Sequence, residues 1–478
     1  MNLSLRLGSS IVTGLVFLAL FWGDCNAVVR GTAQTSSAEW TILIFMNGDN
    51  NLEPDALINF RQLARVGSTD KVNVVVQFDR IKKYAHTQPD WSQTLRFRVT
   101  QGMEPIPANA VEDIGEANMG DGKVLSDFLK WGMTRYPANR YMLVIWDHGQ
   151  GWRLFLSDLL KRGRALTKSR TIGLNEDLAS LRSSSVLLRN ASGVAGLNGE
   201  TAPFRSAPGS PYRSASNDET NNDVLYNREM EDSLKTSLAG KKLDVIGFDA
   251  CLMSMVETAY AFHDVARYLV GSEELEPGLG WKYDDWLSMI VANPTQDASS
   301  LAKATVQSYQ RFYTDPNTGD PATTMAAFDL AQAQPLAASL STLADLLAAK
   351  LDSQVQSVIE ARAASSVYAP GYNFYHVDLA QFLKQLKSRT SDNAIRSQID
   401  MTLNQISTGV IANYAGADRL GSYGSNGIAI YFPDSQHEYV GDPFNEGGYE
   451  KNNTLFPVEF VQKERWGDFL HAYWSRVP

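Results

Sequence analysis

With 478 residues of which 44% are hydrophobic, the chain can bury a large core, expected in two parts, and is too apolar to be a disordered segment. Its formal net charge of −10 argues against a nucleic-acid partner and suits basic substrates. Only two cysteines, Cys25 and Cys251, are present, and their positions matter more than their number.

Arg6, the apolar run Ile11 to Trp22 and the small residues around Ala27 read as a secretory signal peptide over residues 1–27. Cleavage after Ala27 removes Cys25 and delivers the protein to the periplasm or the extracellular space with Cys251 as its only thiol. Lipid attachment at Cys25 is the lesser alternative, because Trp22-Gly23-Asp24 poorly matches the small and aliphatic residues expected before such a cysteine. No second long apolar run follows, so no membrane span is expected.

Glu39 to Met46 reads as a first core strand, Asn47 to Asn51 as a turn, and Pro54 as a helix start followed by Leu57, Phe60, Leu63 and Ala64 at helical spacing. Val72 to Phe78 is a second buried strand, Leu95 to Val99 a half-exposed one, and Asp121 to Tyr136 a helix. The run Tyr141 to Trp146 then stops at Asp147-His148-Gly149. Of the six histidines, only His148 sits at a strand tip before glycine, where a side chain faces a site.

Residues 157–217 change character, being rich in Ser, Gly, Ala and Arg, and read as a flexible basic insertion. Asn221 to Leu238 reads as a polar helix. Leu243 to Asp249 is again a buried strand, followed by Ala250-Cys251 and an amphipathic segment from Met253 to Phe262. Cys251 is thus expected at the carboxyl end of a parallel strand, beside a helix N-terminus that favours thiolate. After Tyr268 to Ser272, a further short strand, comes the acidic and aromatic loop Glu273 to Trp286. From about residue 292 the pattern is helical over Ser299 to Tyr313, Ala331 to Leu351, Leu379 to Leu386, Ser397 to Tyr414 and Trp466 to Trp474. Thr323 to Leu330 and Ile428 to Phe432 look like strands, the second expected to rejoin the core sheet.

Trp146-Asp147-His148-Gly149, Gly247-Phe248-Asp249-Ala250-Cys251-Leu252-Met253, Met46-Asn47-Gly48-Asp49-Asn50-Asn51 and Gly271-Ser272-Glu273-Glu274 with Glu276-Pro277-Gly278 resemble segments of the clostripain family of cysteine peptidases. The resemblance implies an α/β caspase-like three-layer sandwich with a mainly parallel central sheet. The peptidase core is then 28–156 with 218–291, and 292–478 is a helix-rich C-terminal part. Several members of that family are cut between their histidine and cysteine segments, which makes 157–217 the expected processing region. Some are activated by calcium, although no metal-ligand set is legible in the sequence and no cofactor is required by it.

The chemistry of amide cleavage gives each residue a role. Cys251 attacks as nucleophile, with His148 as base or imidazolium partner and then as acid. The backbone N–H groups of Gly149 and Cys251 are the oxyanion donors. Asp249, two residues before Cys251 and on the same side of an extended chain, is placed to meet the side chain before the cut bond. The resemblance assigns the matching aspartate to Arg or Lys; capping of the following helix is the alternative, with Glu273, Glu274 and Asp285 in reserve. The expected protein is an exported, monomeric endopeptidase acting on basic sites in proteins or peptides, and the competing class is a catalytically silent binding protein on the same fold.

Overall fold

Among the described residues there are fourteen strands, most of them built from apolar runs, and in chain order they are β1 (Ala38–Gly48), β2 (Val72–Arg80), β3 (Leu95–Arg98), β4 (Glu112–Asp113), β5 (Ala138–Trp146), β6 (Asn217–Asp218), β7 (Asp223–Val224), β8 (Leu243–Asp249), β9 (Ala266–Gly271), β10 (Thr324–Asp329), β11 (Val367–Tyr368), β12 (His376–Asp378), β13 (Val410–Ala415) and β14 (Ala429–Tyr431). The computed structural model describes residues 38–85, 89–152, 216–369, 374–420, 424–440, 448–454 and 456–477. The signal segment, Cys25 and all of the basic insertion except Ser216 and Asn217 lie outside the described residues.

Nine strands form one sheet in the order β13-β10-β9-β8-β5-β1-β2-β3-β4. The central five, β9-β8-β5-β1-β2, are mutually parallel. The outer strands β3, β4, β10 and β13 are antiparallel to their neighbours. Alternation along β1 and β5 sends Leu43, Phe45, Leu143 and Ile145 to one face, where they share a core with the helices Gly122–Arg135, Asn227–Leu238 and Ala333–Ala349. Ile42, Ile44, Met142 and Val144 go to the other face, under the helices Glu53–Val66, Tyr283–Ala292 and Ala298–Thr314. Each such side chain, fully buried, contributes roughly 1.5–3 kcal/mol. The result is the expected three-layer α/β sandwich.

Several boundaries differ from expectation. The described residues pack as one unit, and the C-terminal part inserts β10 and β13 into the main sheet. The helix expected to run to Tyr414 ends at Gly409, and the β-branched and aromatic run that follows becomes β13. Conversely, Ile428 to Phe432 does not enter the main sheet. β14 pairs with β12 in a separate three-stranded sheet and touches the first sheet's neighbourhood through a single bridge, Met255 to Ala429. Both of its faces are buried, so an apolar run alone cannot say which sheet receives it. The helix expected from Asn221 starts at Asn227, after the β6–β7 hairpin. The alanine-rich helix is interrupted at Lys350.

Candidate active site

β5 and β8 are adjacent and parallel, with Trp146 opposite Asp249 as their last pair. His148 and Cys251 therefore stand at equivalent positions, each two residues past that pair, on chains that neighbouring strands hold about 4.8 Å apart. The close approach continues beyond the ladder. A Cβ on Gly149 would lie 2.1 Å from the Cys251 carbonyl oxygen and 2.7 Å from its nitrogen, so only glycine fits between the two strand ends. Cys251 is partly exposed and His148 only 9% exposed.

The imidazole is held by a residue that sequence reasoning left without a role. His148 Nε2 donates to Asn51 Oδ1 at 3.0 Å, which makes Nδ1 the basic nitrogen. Asn51 belongs to the turn after β1, and Asn47 at the end of β1 and Asn50 in that turn grip Asp147. Asn47 Nδ2 and Asn50 Nδ2 donate to the Asp147 carboxylate at 3.0 and 2.8 Å, and the Asn217 N–H donates to it from the far side of the insertion. Asp147 is thus a buried anchor of the strand end. An asparagine cluster at the tip of a strand adjacent to β5 was the signal for this network.

The thiol is set differently from expectation. The helix after β8 begins at Val256, not at Met253, and spans only seven residues. Cys251 lies in a turn ahead of it, with Leu252 in the left-handed region at φ 63°, so the helix terminus does not adjoin the sulfur. Instead Cys251 Sγ accepts a hydrogen bond from the Glu276 N–H at 3.1 Å and lies 3.7 Å from the Glu276 carbonyl oxygen. Burial pushes the thiol up to about 12, with Glu276 and Glu274 adding to the rise and the Glu276 and Gly149 N–H groups opposing it. The resting sulfur is a thiol that must give up its proton to react.

Asp249 does not cap a helix. Its Oδ2 accepts from Tyr283 OH at 2.7 Å and the Trp281 N–H at 3.3 Å. Burial raises it to about 7, the Tyr283 and Trp281 hydrogen bonds and Glu276 oppose that rise, and the Asp55 charge adds to it. Glu276 is raised well above the ordinary carboxylate range by burial and then by Asp249, and burial takes Asp55 to about 6. Gly280, at φ 55°, crosses Asp249 so closely that a Cβ would sit 2.6 Å from Oδ1. Asp249 and Glu276 are raised by burial and by a neighbouring carboxyl group and Asp55 by burial alone, so each resists ionisation until a cationic side chain meets it.

The reserve candidates lie elsewhere. Glu273 is buried against Asp378 and accepts from the Gly427 N–H at 2.9 Å. Glu274 pairs with Arg419, and Asp285 makes a surface pair with Arg311 at 2.6 Å. Glu276, in the same loop, is the acid that sequence reasoning passed over. Its position there could be read, but burial beside Asp249 could not.

The model of the clostripain family matches residues 44–167 and 206–474 of the chain. Clostripain of Hathewaya histolytica is 23% identical over 468 residues, covering 87% of this chain and 78% of that one. A secreted C11 cysteine protease from Bacteroides thetaiotaomicron, solved in complex with an irreversible peptide inhibitor, superimposes with a TM-score of 0.54 at 16% identity over 91% of this chain and 99% of that one. An inactive zymogen C11 protease from Parabacteroides distasonis gives 0.50 at 18% identity, covering 83% and 93%. At such identities the solved structures speak to the fold.

Proposed function

The chain belongs to the clostripain family and is a cysteine peptidase, and from that premise we propose that it is an exported endopeptidase that cleaves after Arg or Lys with Cys251 as nucleophile and His148 as its base. The observation that carries this reading is the pairing of Trp146 with Asp249, which brings the histidine and cysteine strand ends side by side above a buried acidic group.

With a neutral thiol at rest, His148 acts as general base: Nδ1 takes the Cys251 proton as sulfur attacks the scissile carbonyl. Asn51 is a positioning residue that fixes the ring and its tautomer. The tetrahedral oxygen is held by the backbone N–H groups of Gly149 and Cys251. His148 then protonates the leaving amine, and water hydrolyses the thioester. Asp249 and Glu276 receive the guanidinium or ammonium of the residue before the cut bond, through charge-assisted hydrogen bonds in a site with little water. Protein and peptide substrates with basic residues follow from this, and the protein works as a monomer.

The many Arg and Lys residues of the insertion, nine between Lys161 and Arg213, make it a substrate for the same specificity, so we assign self-processing to that interval. The signal segment assigns the protein to the periplasm or the exterior. An arginine-directed thiol-reactive peptide tests the core of the proposal: it should label the wild-type protein and neither Cys251→Ala nor His148→Ala. Absence of any label on well-folded wild type would favour the silent binding protein.

A further inference from the structure

The turn that presents Cys251 is held in a conformation its own sequence does not favour. Leu252 lies in the left-handed region at φ 63°, as does Ala369 at φ 47°, where a side chain crowds the backbone and a non-glycine residue persists only if its surroundings hold it. One residue holds both. The Leu252 N–H donates to the Glu274 carbonyl oxygen at 3.1 Å, and the Ala369 N–H donates to Glu274 Oε1 at 2.9 Å. Two residues further along the same loop, the Glu276 N–H meets Cys251 Sγ at 3.1 Å. Glu274 therefore joins the turn of the nucleophile, through its main chain, to the C-terminal part, through its side chain.

What fixes Glu274 comes from the far end of the main sheet. The side chain is buried, and its Oε2 pairs with the partly buried guanidinium of Arg419, in the short turn after β13. Arg419 is itself set in place: its Nε donates to the Ala322 carbonyl oxygen at 3.1 Å, and its guanidinium lies 5.8 Å from the centre of the Tyr368 ring. Burial pushes the Glu274 carboxyl up, and Arg419 is the foremost group opposing that rise, ahead of the Leu275 and Ala369 N–H groups. Removing the arginine would strip a buried carboxylate of its counter-charge, which costs far more than the loss of a surface pair. The backbone of the loop is pinned nearby, with the Glu273 and Glu274 N–H groups donating to Thr324 Oγ1 at 3.0 and 3.1 Å.

We propose that Arg419 and Glu274 are positioning residues for the nucleophile: their ion pair clamps the loop from Ser272 to Glu276, and the loop keeps Leu252 left-handed and Cys251 Sγ against the Glu276 N–H. The C-terminal part thereby sets the geometry of a sulfur carried by the core, without either residue being given a contact to substrate. The effect on turnover rests on the nucleophilic role given to Cys251 above, whereas the setting of the thiol can be read without any catalysis.

The test assays the full chain in two ways, by cleavage of a fluorogenic Arg peptide and by alkylation of Cys251 with iodoacetamide at pH 7.5. In Arg419→Ala the loop slackens, so kcat should fall about 10- to 100-fold with KM within about threefold of wild type. Alkylation should instead speed up about tenfold, as the sulfur gains water and ionises more readily. Opposite movement of the two rates is the signature, because general destabilisation would lower the melting temperature and leave both rates of the folded protein alone. Arg419→Lys, which keeps a cation for Glu274, should return both rates to within about threefold of wild type. Glu274→Gln keeps an oxygen for the Leu275 and Ala369 N–H groups and removes the charge, so both rates should move in the same directions as in Arg419→Ala, and combining the two changes should add little to the worse of them. Wild-type rates in Arg419→Ala, or losses that simply add in the double variant, would overturn the clamp. If Arg419→Ala does not fold, unchanged rates in Glu274→Gln would overturn it equally. If alkylation shifts as expected and no form cleaves any peptide, the clamp on the thiol stands and the catalytic reading fails instead.

Discussion

Replacing Asp249 by Asn tests the specificity pocket without changing its shape. The amide oxygen can still accept from Tyr283 OH and the Trp281 N–H, which meet Oδ2 at 2.7 and 3.3 Å, so the fold should persist. What disappears is one of the two carboxyl groups proposed to face the substrate cation. A charged hydrogen bond contributes roughly 1.5–3 kcal/mol, and Glu276, freed of a like-charged neighbour, ionises more readily and offsets part of the loss. We expect kcat/KM for an Arg substrate to fall about 30- to 150-fold, a change of roughly 2–3 kcal/mol. The wild-type profile should decline below pH 7, where Asp249 takes up its proton, and the variant should lose that limb. Stability should move oppositely. A carboxyl raised from 3.8 to about 7 contributes stability below its unfolded pKa that is lost as pH rises through 7, on the order of 4 kcal/mol. The variant should therefore melt above wild type at pH 8 and level with it near pH 4. Fluorogenic peptides differing only in the residue before the cut, assayed from pH 5.5 to 9 beside melting curves, provide both readings. Undiminished preference for Arg over a neutral residue in the variant would refute the assignment.

Further substitutions probe the rest of the site. Asn51→Ala should lower kcat about 10- to 100-fold with little change in KM, and Asn51→Asp should shift the acid limb of the pH profile upward by stabilising the imidazolium; an unmoved profile in both would reduce Asn51 to a structural role. Gly149→Ala forces a methyl group to within 2.1 Å of the Cys251 carbonyl and should abolish turnover while costing roughly 1–3 kcal/mol of stability, seen as a lower melting temperature. Since burial holds the Cys251 thiol up to about 12, iodoacetamide should alkylate the resting protein far more slowly at pH 7.5 than free cysteine, with the rate still climbing at pH 10; fast alkylation at neutral pH would mean a preformed ion pair. Wild-type protein should show fragments on a denaturing gel that Cys251→Ala lacks, with the cut between residues 157 and 217.

The parts of this structure that could be read in advance are those in which a local pattern has only one tertiary outcome. Continuous apolar runs such as Val72 to Phe78 and Tyr141 to Trp146 can be buried on both faces only inside a helix-covered sheet, so strands, parallel pairing and the strand-end positions of His148 and Cys251 followed. Ile428 to Phe432 and Val410 to Ala415 carried no such constraint. The first is buried in either sheet, and the second continues a helical pattern whose end depends on β10 receiving it. The start of the helix after Cys251 was misjudged because Leu252 adopts φ 63°, a turn that leucine seldom makes. Glu276 and Asn51 were visible as letters, and their contacts to Cys251 and His148 reach across 25 and 97 residues of sequence.

The seam between β5 and β8 has a consequence for any enzyme severed in the interval that separates them. Everything up to Trp152 supplies five strands of the main sheet and everything from Ser216 onward supplies the other four, so both fragments are woven into a single layer and share the same interior. Scission would alter connectivity without releasing either half: the fragments should travel together through gel filtration at nanomolar dilution and come apart only in denaturant. Maturation of this kind would leave the scaffold beneath the sulfur untouched.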